Sequence, residues 1–155
     1  MEGVLRLLVC DISLTHKYGK QTLDARLSPF HVCWQEMVVL MAAHRSPDLT
    51  SAPLSRLLQT DKGNVTKLLN SMESKGLITR VPTQKDQRRK ALRLAPGGES
   101  LLPDLYRVMS EWESECLEGL SPEDREGYQR LSGTVISNLM RMNEESRGPS
   151  ANKED

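Results

Sequence analysis

The sequence predicts a mainly α-helical fold with one short β-hairpin, and three features of its 155 residues support this. Hydrophobic residues make up 37%, but only one Phe and two Trp are present, so the core must be mostly aliphatic, which suits packed helices. Apolar residues recur at the i, i+3, i+4 spacing of helices over most of the chain. Between positions 77 and 94 this period changes to one typical of strands.

The N-terminal part is predicted to form two helices. Apolar residues between positions 5 and 27 indicate a long first helix of limited amphipathicity. It is expected to end at Ser28, because the residue before Pro29 is pushed out of the α region. A second helix is expected over residues 34–44, with Met37 and Leu40 on its apolar face.

Two shorter helices follow and are separated by a tight turn. Thr50 is the expected N-cap of the third helix. Either Thr60 or Asp61 in the turn can cap a fourth helix, expected over residues 62–75. Gly76 then supplies the left-handed conformation that ends this fourth helix.

A hairpin is predicted directly after the fourth helix. Residues 77–81 and 91–94 have the composition of short strands, and the polar, mostly basic residues 82–90 form the loop between them. A helix-turn-helix followed by such a hairpin is a winged helix-turn-helix, and its two parts together are far more specific than either alone.

The C-terminal part is predicted to form two further helices. A long helix is expected after residues 96–98, with Pro103 in or near its first turns. Ser121 is the expected N-cap of the last helix and Pro122 its first residue, because proline is favoured at that position. Residues 147–155 are expected to form a disordered tail.

Charge is strongly segregated along a chain whose formal net charge is zero. Residues 56–94 hold ten basic and three acidic side chains, whereas residues 95–155 hold six basic and thirteen acidic ones. This asymmetry indicates one polyanion-binding segment on an otherwise acidic protein.

The sequence shows no apolar run of the roughly 18 residues that a membrane span requires, and its start does not have the features of a signal peptide. Three unevenly spaced cysteines predict neither a disulfide framework nor a metal site. We therefore expect a cytoplasmic protein with reduced thiols, and no cofactor or metal. No nucleophile–base pair or phosphate loop is evident, so we do not expect an enzyme.

Two groups of side chains are the candidate DNA-binding residues. The face of the fourth helix opposite its apolar stripe carries small polar, amide and basic side chains that suit a major groove, where Asn can bond to adenine and Lys to guanine or phosphate. These candidates are Lys62, Gly63, Asn64, Thr66, Lys67, Asn70 and Ser71. Arginine in a wing can enter a narrow minor groove, and Asp86 can pair with a neighbouring arginine there. The wing candidates are Lys85, Asp86, Arg88, Arg89 and Lys90.

These segments resemble the MarR family of bacterial transcriptional regulators. The resemblance covers about residues 4–145, and D-x-R in the wing is the most distinctive short motif of that family. The motifs are LSRLL at 54–58, GNVTKLL at 63–69, MESKGLITR at 72–80, DQRR at 86–89 and GLSPE at 119–123.

The resemblance implies a homodimeric, sequence-specific regulator of transcription. Its first and last helices would interdigitate and place two winged units on a pseudo-palindromic operator, with the recognition helices about one helical turn apart. The apolar stripes of the first and last helices support this, because a monomer would leave them uncovered. The implied divisions are residues 1–32 and 99–146 for dimerisation, residues 33–98 for DNA binding, and the tail at 147–155.

The resemblance also implies a repressor that a small anionic or phenolic ligand releases from DNA. Residues that could line such a ligand pocket are His16, Tyr18, His31, Trp34 and Trp112. Redox sensing through Cys10 is an alternative, since the organic-peroxide-sensing branch of the family places its reactive cysteine nearby. A second alternative is a protein–protein interaction module that uses the winged fold without binding an operator.

Overall fold

The computed structural model describes residues 7–83 and 88–147. In those residues the chain forms six α-helices, one 3₁₀ turn and a two-stranded antiparallel sheet. The helices and strands are α1 (Leu8–Leu27), the 3₁₀ turn (Ser28–Phe30), α2 (Trp34–Arg45), α3 (Ala52–Leu57), α4 (Lys62–Ser74), β1 (Ile78–Pro82), β2 (Lys90–Leu94), α5 (Pro96–Cys116) and α6 (Pro122–Arg147). The predicted fold class is confirmed.

The described residues up to Trp112 form one compact unit, and those from Glu113 onward form a second. The core of the first unit is aliphatic, as the composition predicts, and draws on α1 to α5 and both strands. Its largest fully buried side chains are Leu27, Met37, Leu40, Leu54, Leu69, Met72, Ile78, Leu92 and Leu105. The sequence predicts a division of the chain by function, into dimerisation and DNA-binding parts. That division stays a prediction.

The third helix begins one residue later than predicted. It starts at Ala52, and Thr50 is not its N-cap: the residue before the helix is Ser51, which has a helical conformation and no capping hydrogen bond. The carbonyl of Leu49 accepts a hydrogen bond from the N–H of Leu92 at 2.7 Å. This bond holds the residues before α3 alongside β2, so a tertiary contact decides where the helix begins.

The fifth helix begins at Pro96, so it includes Gly97 and Gly98, which the sequence pattern predicts to precede it. Pro103 therefore lies inside α5 and not in its first turn. A Cβ on Gly98 would lie 2.1 Å from the carbonyl oxygen of Leu77, and a Cβ on Gly97 would lie 2.7 Å from that of Gly76. The glycines are needed for this close approach, which seats the first turn of α5 on the junction between α4 and β1.

The second unit contains the last helix, whose predicted start is confirmed. The hydroxyl of Ser121 accepts a hydrogen bond from the N–H of Asp124 at 3.1 Å, and Pro122 is the first helical residue. The helix continues to Arg147, which is the first residue of the predicted tail, and residues 148–155 lie outside the described part of the chain.

Among residues 7–83 and 88–147, none of the helices has the length and apolar character needed to cross a membrane.

Candidate nucleic-acid interface

Helices α3 and α4 form the predicted helix-turn-helix, and a side-chain cap fixes where the second helix begins. Gln59 in the turn has a positive φ of 52°. Of the two alternative caps, Asp61 is the one used: its Oδ1 accepts a hydrogen bond from the N–H of Asn64 at 2.8 Å. Gly76, with φ of 70°, ends the fourth helix in the predicted left-handed conformation.

One face of α4 is buried and the opposite face is open to solvent. Val65, Leu69 and Met72 are buried in the core, and Leu68 is half-buried. All seven residues predicted to face DNA are exposed: Lys62, Gly63, Asn64, Thr66, Lys67, Asn70 and Ser71. The structure therefore presents the predicted polar and basic surface, which we call the α4 face.

Both amide side chains of the α4 face already have partners within the protein. Nδ2 of Asn64 donates to Oδ2 of Asp61 at 2.7 Å. Oδ1 of Asn70 accepts a hydrogen bond from Nη2 of Arg80, which lies on β1. Bonding to adenine is the role predicted for these amides, and the structure shows that each already bonds a charged neighbour.

Arg80 is a residue of the site that the sequence analysis did not identify. Its Nη2 also donates to Oε2 of Glu73 at 2.5 Å, so one guanidinium joins β1 to two residues of α4. The hydrogen bond from Arg80, together with the positive charges of Arg80 and Lys90, holds the pKa of Glu73 below its ordinary value of 4.5. The one sequence signal that could have suggested this contact is the position of Arg80 on β1, seven residues after Glu73 in the last turn of α4.

The hairpin carries the basic side chains predicted for a wing. Strands β1 and β2 pair from Ile78 with Leu94 to Pro82 with Lys90, and the N–H of Thr83 donates to the carbonyl of Arg89 at 2.8 Å. Arg88, Arg89 and Lys90 are exposed. The other two wing candidates, Lys85 and Asp86, lie outside the described residues, so the role predicted for Asp86 stays a prediction.

A cavity of about 570 Å³, wide open to solvent, lies beside the N-terminus of α2. Its lining residues are Asp24, Ser28, His31, Val32, Cys33, Glu36, Leu68 and Lys75. Glu36 is buried, with 4% of its surface exposed, and its Oε1 accepts a hydrogen bond from Nζ of Lys75 at 2.7 Å. The second carboxylate oxygen accepts from the N–H of Cys33 at 3.0 Å, and Lys75 also donates to the carbonyl of His31 at 3.1 Å.

The five residues predicted for a ligand pocket do not come together in this cavity. His31 is the one among them that lines it. His16 and Tyr18 are exposed on α1, and the half-buried Trp112 donates from Nε1 to the hydroxyl of Thr22 at 2.9 Å. Trp34 packs against the core with the ammonium of Lys20 above its ring, at 5.3 Å from the centroid. The two tryptophans thus have structural contacts that their helical spacing did not reveal.

Cys10, Cys33 and Cys116 form no disulfide, and Cys10 lies exposed on α1. Within residues 7–83 and 88–147, no three His, Cys, Asp or Glu side chains are grouped so that they could hold a metal ion. The redox alternative through Cys10 stays a prediction.

The fold defines a winged helix-turn-helix protein whose fourth helix exposes a polar and basic face. Residues 34–89 match the model of the MarR family, the family that the sequence motifs resemble.

Solved structures of the same architecture agree over most of the chain. A MarR transcriptional regulator from Methanosarcina mazei Go1 has a TM-score of 0.76 at 21% identity, over 87% of this chain and 97% of its own. The S. aureus MepR–DNA complex has a TM-score of 0.79 at 24% identity, over 87% of this chain and 99% of its own. A MarR-family regulator from Listeria monocytogenes complexed with a 26mer DNA has a TM-score of 0.83 at 14% identity, over 97% of this chain and 99% of its own.

Proposed function

We propose that this protein is a homodimeric transcriptional regulator that binds a pseudo-palindromic duplex through the α4 face and the hairpin and acts in the cytoplasm as a repressor. The observation that carries the proposal is the exposure of all seven residues of the α4 face together with that of Arg88, Arg89 and Lys90 on the hairpin. A helix with this inventory of side chains suits a major groove, and a basic hairpin suits the phosphates or minor groove beside it. No catalytic role is part of the proposal.

Two of the similar structures are complexes with DNA, those of S. aureus MepR and of the Listeria monocytogenes regulator. Their likeness to this chain in fold supports placing α4 in the groove. The charge distribution supports it independently, because the basic excess lies between residues 56 and 94 and the acidic excess lies beyond them.

The dimer is supported by apolar side chains that a single chain leaves exposed. Such residues on the N-terminal half of α1 and before it are Leu7, Leu8, Val9, Ile12 and Leu14. On α6 they are Tyr128, Leu131, Ile136, Leu139, Met140 and Met142, each at least 38% exposed. Exposed apolar side chains in such number are typical of an interface, and the two helices that carry them are those predicted to dimerise.

The cavity beside α2 is the proposed ligand site, and its charges favour the phenolic alternative over the anionic one. Asp24 and Glu36 contribute two carboxylates, whereas Lys75 contributes one ammonium group that Glu36 already pairs. An anion would compete with Glu36 for Lys75, so a neutral phenol fits better. Leu68 connects the cavity directly to α4, which gives a bound ligand a route to the recognition helix.

The function is tested by selection from random duplexes with the purified protein, followed by titration of the selected site at several salt concentrations. We expect a two-fold symmetric site and an affinity that falls steeply with salt, because Lys and Arg release counterions from the phosphates. Lys67→Ala should weaken binding and reduce the salt slope by about 1 to 2 per dimer, whereas Lys17→Ala on α1 makes the same charge change away from the α4 face and should not.

Failure to enrich any two-fold site would contradict the proposal and favour a protein–protein module. Equal affinities of Lys67→Ala and wild type at every salt concentration would contradict the placement of α4 in the groove. Phenol and benzoate, added to the complex, test the ligand: release by phenol at lower concentration than by benzoate is the expected order, and the reverse order would contradict it.

A further inference from the structure

We propose that Asp61 is a specificity-determining positioning residue, which holds the Asn64 carboxamide so that its oxygen faces the DNA and reads adenine or cytosine. The inference rests on the proposed function, in which the α4 face enters the major groove. It goes beyond that function because it assigns the polarity of one base contact to a residue that touches no base.

A single carboxylate makes two hydrogen bonds to the same residue. Oδ1 of Asp61 accepts from the backbone N–H of Asn64 at 2.8 Å, and Oδ2 accepts from its side-chain Nδ2 at 2.7 Å. The first bond is the helix cap, and the second fixes the side chain that follows it. Gly63 leaves room for this arrangement, since a Cβ there would lie 3.1 Å from Oδ1 of Asp61.

The chemistry of the partner decides which end of the amide turns outward. An ionised carboxylate only accepts hydrogen bonds, so it can pair only with the Nδ2 end of Asn64. A flipped amide would set its own oxygen against the carboxylate and leave both without a donor. Oδ1 of Asn64 is therefore the end directed away from Asp61.

Asn64 is well placed for base reading. It is the third residue of α4 and is exposed, and the N-terminal residues of a recognition helix are those that reach base edges. In the major groove adenine and cytosine present amino donors at N6 and N4, whereas guanine presents O6 and N7 and thymine presents O4 as acceptors. An outward oxygen therefore favours adenine or cytosine and disfavours guanine and thymine.

The substitution Asp61→Asn tests the polarity directly. Asn is as good an N-cap as Asp, so the helix start is retained. In this variant the amide oxygen of residue 61 accepts the hydrogen bond from the backbone N–H of Asn64. The NH₂ group of residue 61 then takes the place of the present Oδ2, and it can only donate. The Asn64 amide must then flip to offer its oxygen inward, which turns Nδ2 outward. We expect the base preference to invert, from adenine or cytosine to guanine or thymine.

The experiment is selection from random duplexes with three proteins. Asn64→Ala first identifies the base pair that Asn64 reads. It is the one position of the selected duplex at which this variant loses the base preference of the wild type. At that position we expect wild type to favour adenine or cytosine by about fivefold, the value of one ordinary hydrogen bond. Asp61→Asn should reverse this preference by a similar factor. Asp48→Asn is the matched control, because it removes the same charge from an 89% exposed side chain elsewhere in the winged unit.

Each result decides the matter. A wild-type protein that enriches no site contradicts the proposed function, and the inference with it. If Asp61→Asn keeps the base preference of the wild type at that position, or if Asp48→Asn changes it equally, the inference is overturned. The proposed function then still stands. If circular dichroism shows that Asp61→Asn does not fold, the Asn64→Ala variant decides. The inference is overturned if this variant retains every adenine or cytosine preference of the wild-type protein.

Discussion

Arg80, in the middle of β1, donates from Nη2 to Oε2 of Glu73 in the last turn of α4, at 2.5 Å. The same guanidinium nitrogen donates to Asn70, so the hairpin is attached to the recognition helix by a charged side chain as well as by the core beneath it. In the proposed function these two elements contact neighbouring parts of one duplex. Their relative orientation therefore matters for affinity, and Arg80 is the side chain that holds it.

Replacing Arg80 by Met should weaken DNA binding more than it weakens the fold. The pair is only partly buried, with 23% and 35% of the two side chains exposed, so we expect a loss of about 1 kcal/mol or less in the free energy of unfolding. Affinity for the selected duplex should fall severalfold, because Arg80 no longer fixes the orientation of the hairpin relative to α4. Arg107→Met, which breaks surface pairs on α5, is the control and should leave affinity unchanged. Denaturant unfolding and a binding titration measure the two effects.

The contribution of Glu73 to stability should depend on pH in a definite direction. Its pKa is lower in the folded chain than the ordinary value of 4.5, chiefly because of the hydrogen bond from Arg80. A lowered pKa stabilises the folded state above the unfolded-state value, and that stabilisation is lost as the pH falls through the folded-state value. The difference in unfolding free energy between wild type and Glu73→Gln should thus be largest at neutral pH and shrink below about pH 4.5. A difference that grows on acidification would contradict the assignment.

Removing the ammonium group of Lys75 should destabilise the protein more than a surface pair would. Lys75→Met leaves the buried carboxylate of Glu36 without its charged partner, and we expect a cost of about 2 kcal/mol, moderated by the 41% exposure of Lys75. Adding Glu36→Gln should recover part of that loss, because the unpaired charge is then gone. A double-mutant cycle from denaturant unfolding measures the coupling. Strictly additive effects would show that the ion pair does not couple α2 to the end of α4.

Gly98→Ala should cost about 1 to 3 kcal/mol or more, because the new methyl group meets the backbone of Leu77. The flexible end of a side chain could move aside, but a carbonyl oxygen at 2.1 Å from the new Cβ requires α5 to shift. Gly133→Ala in α6 is the matched control: outside the backbone of its own helix, no atom of the described residues lies within 4 Å of its Cβ position, and alanine is the better helix former. Thermal unfolding of the two variants should therefore move in opposite directions. A neutral Gly98→Ala would contradict the close approach.

The apolar face of α6 should be required for dimerisation. Leu139→Lys places a charge on an exposed apolar position of that face and should shift the protein toward monomers. Ser137→Lys adds the same charge about 160° around the helix from Leu139, on the side away from that face, and should leave the dimer intact. Sedimentation equilibrium distinguishes the two outcomes. Dimers of equal stability in both variants would move the proposed interface away from this face.

The sequence by itself determined the order and type of the secondary structure in the winged unit. The apolar stripe of α4, the turn before it and Gly76 after it are local signals, because helix period, capping and left-handed conformation each depend on a few neighbouring residues. The polar character of the α4 face follows from the same period. The choice between Thr60 and Asp61 as the cap stayed open, since both side chains can accept that hydrogen bond.

Only the tertiary structure decided how the polar side chains are used. Glu36 and Lys75 are 39 residues apart, and Arg80 on β1 reaches back to Asn70 on α4, so helix period alone predicts neither contact. The starts of α3 and α5 were misplaced for the same reason, because Leu92 and Leu77 fix them through contacts from elsewhere in the fold. Spacing along one helix shows which side chains face solvent. Which atom each side chain offers there depends on the charged group that packing places next to it.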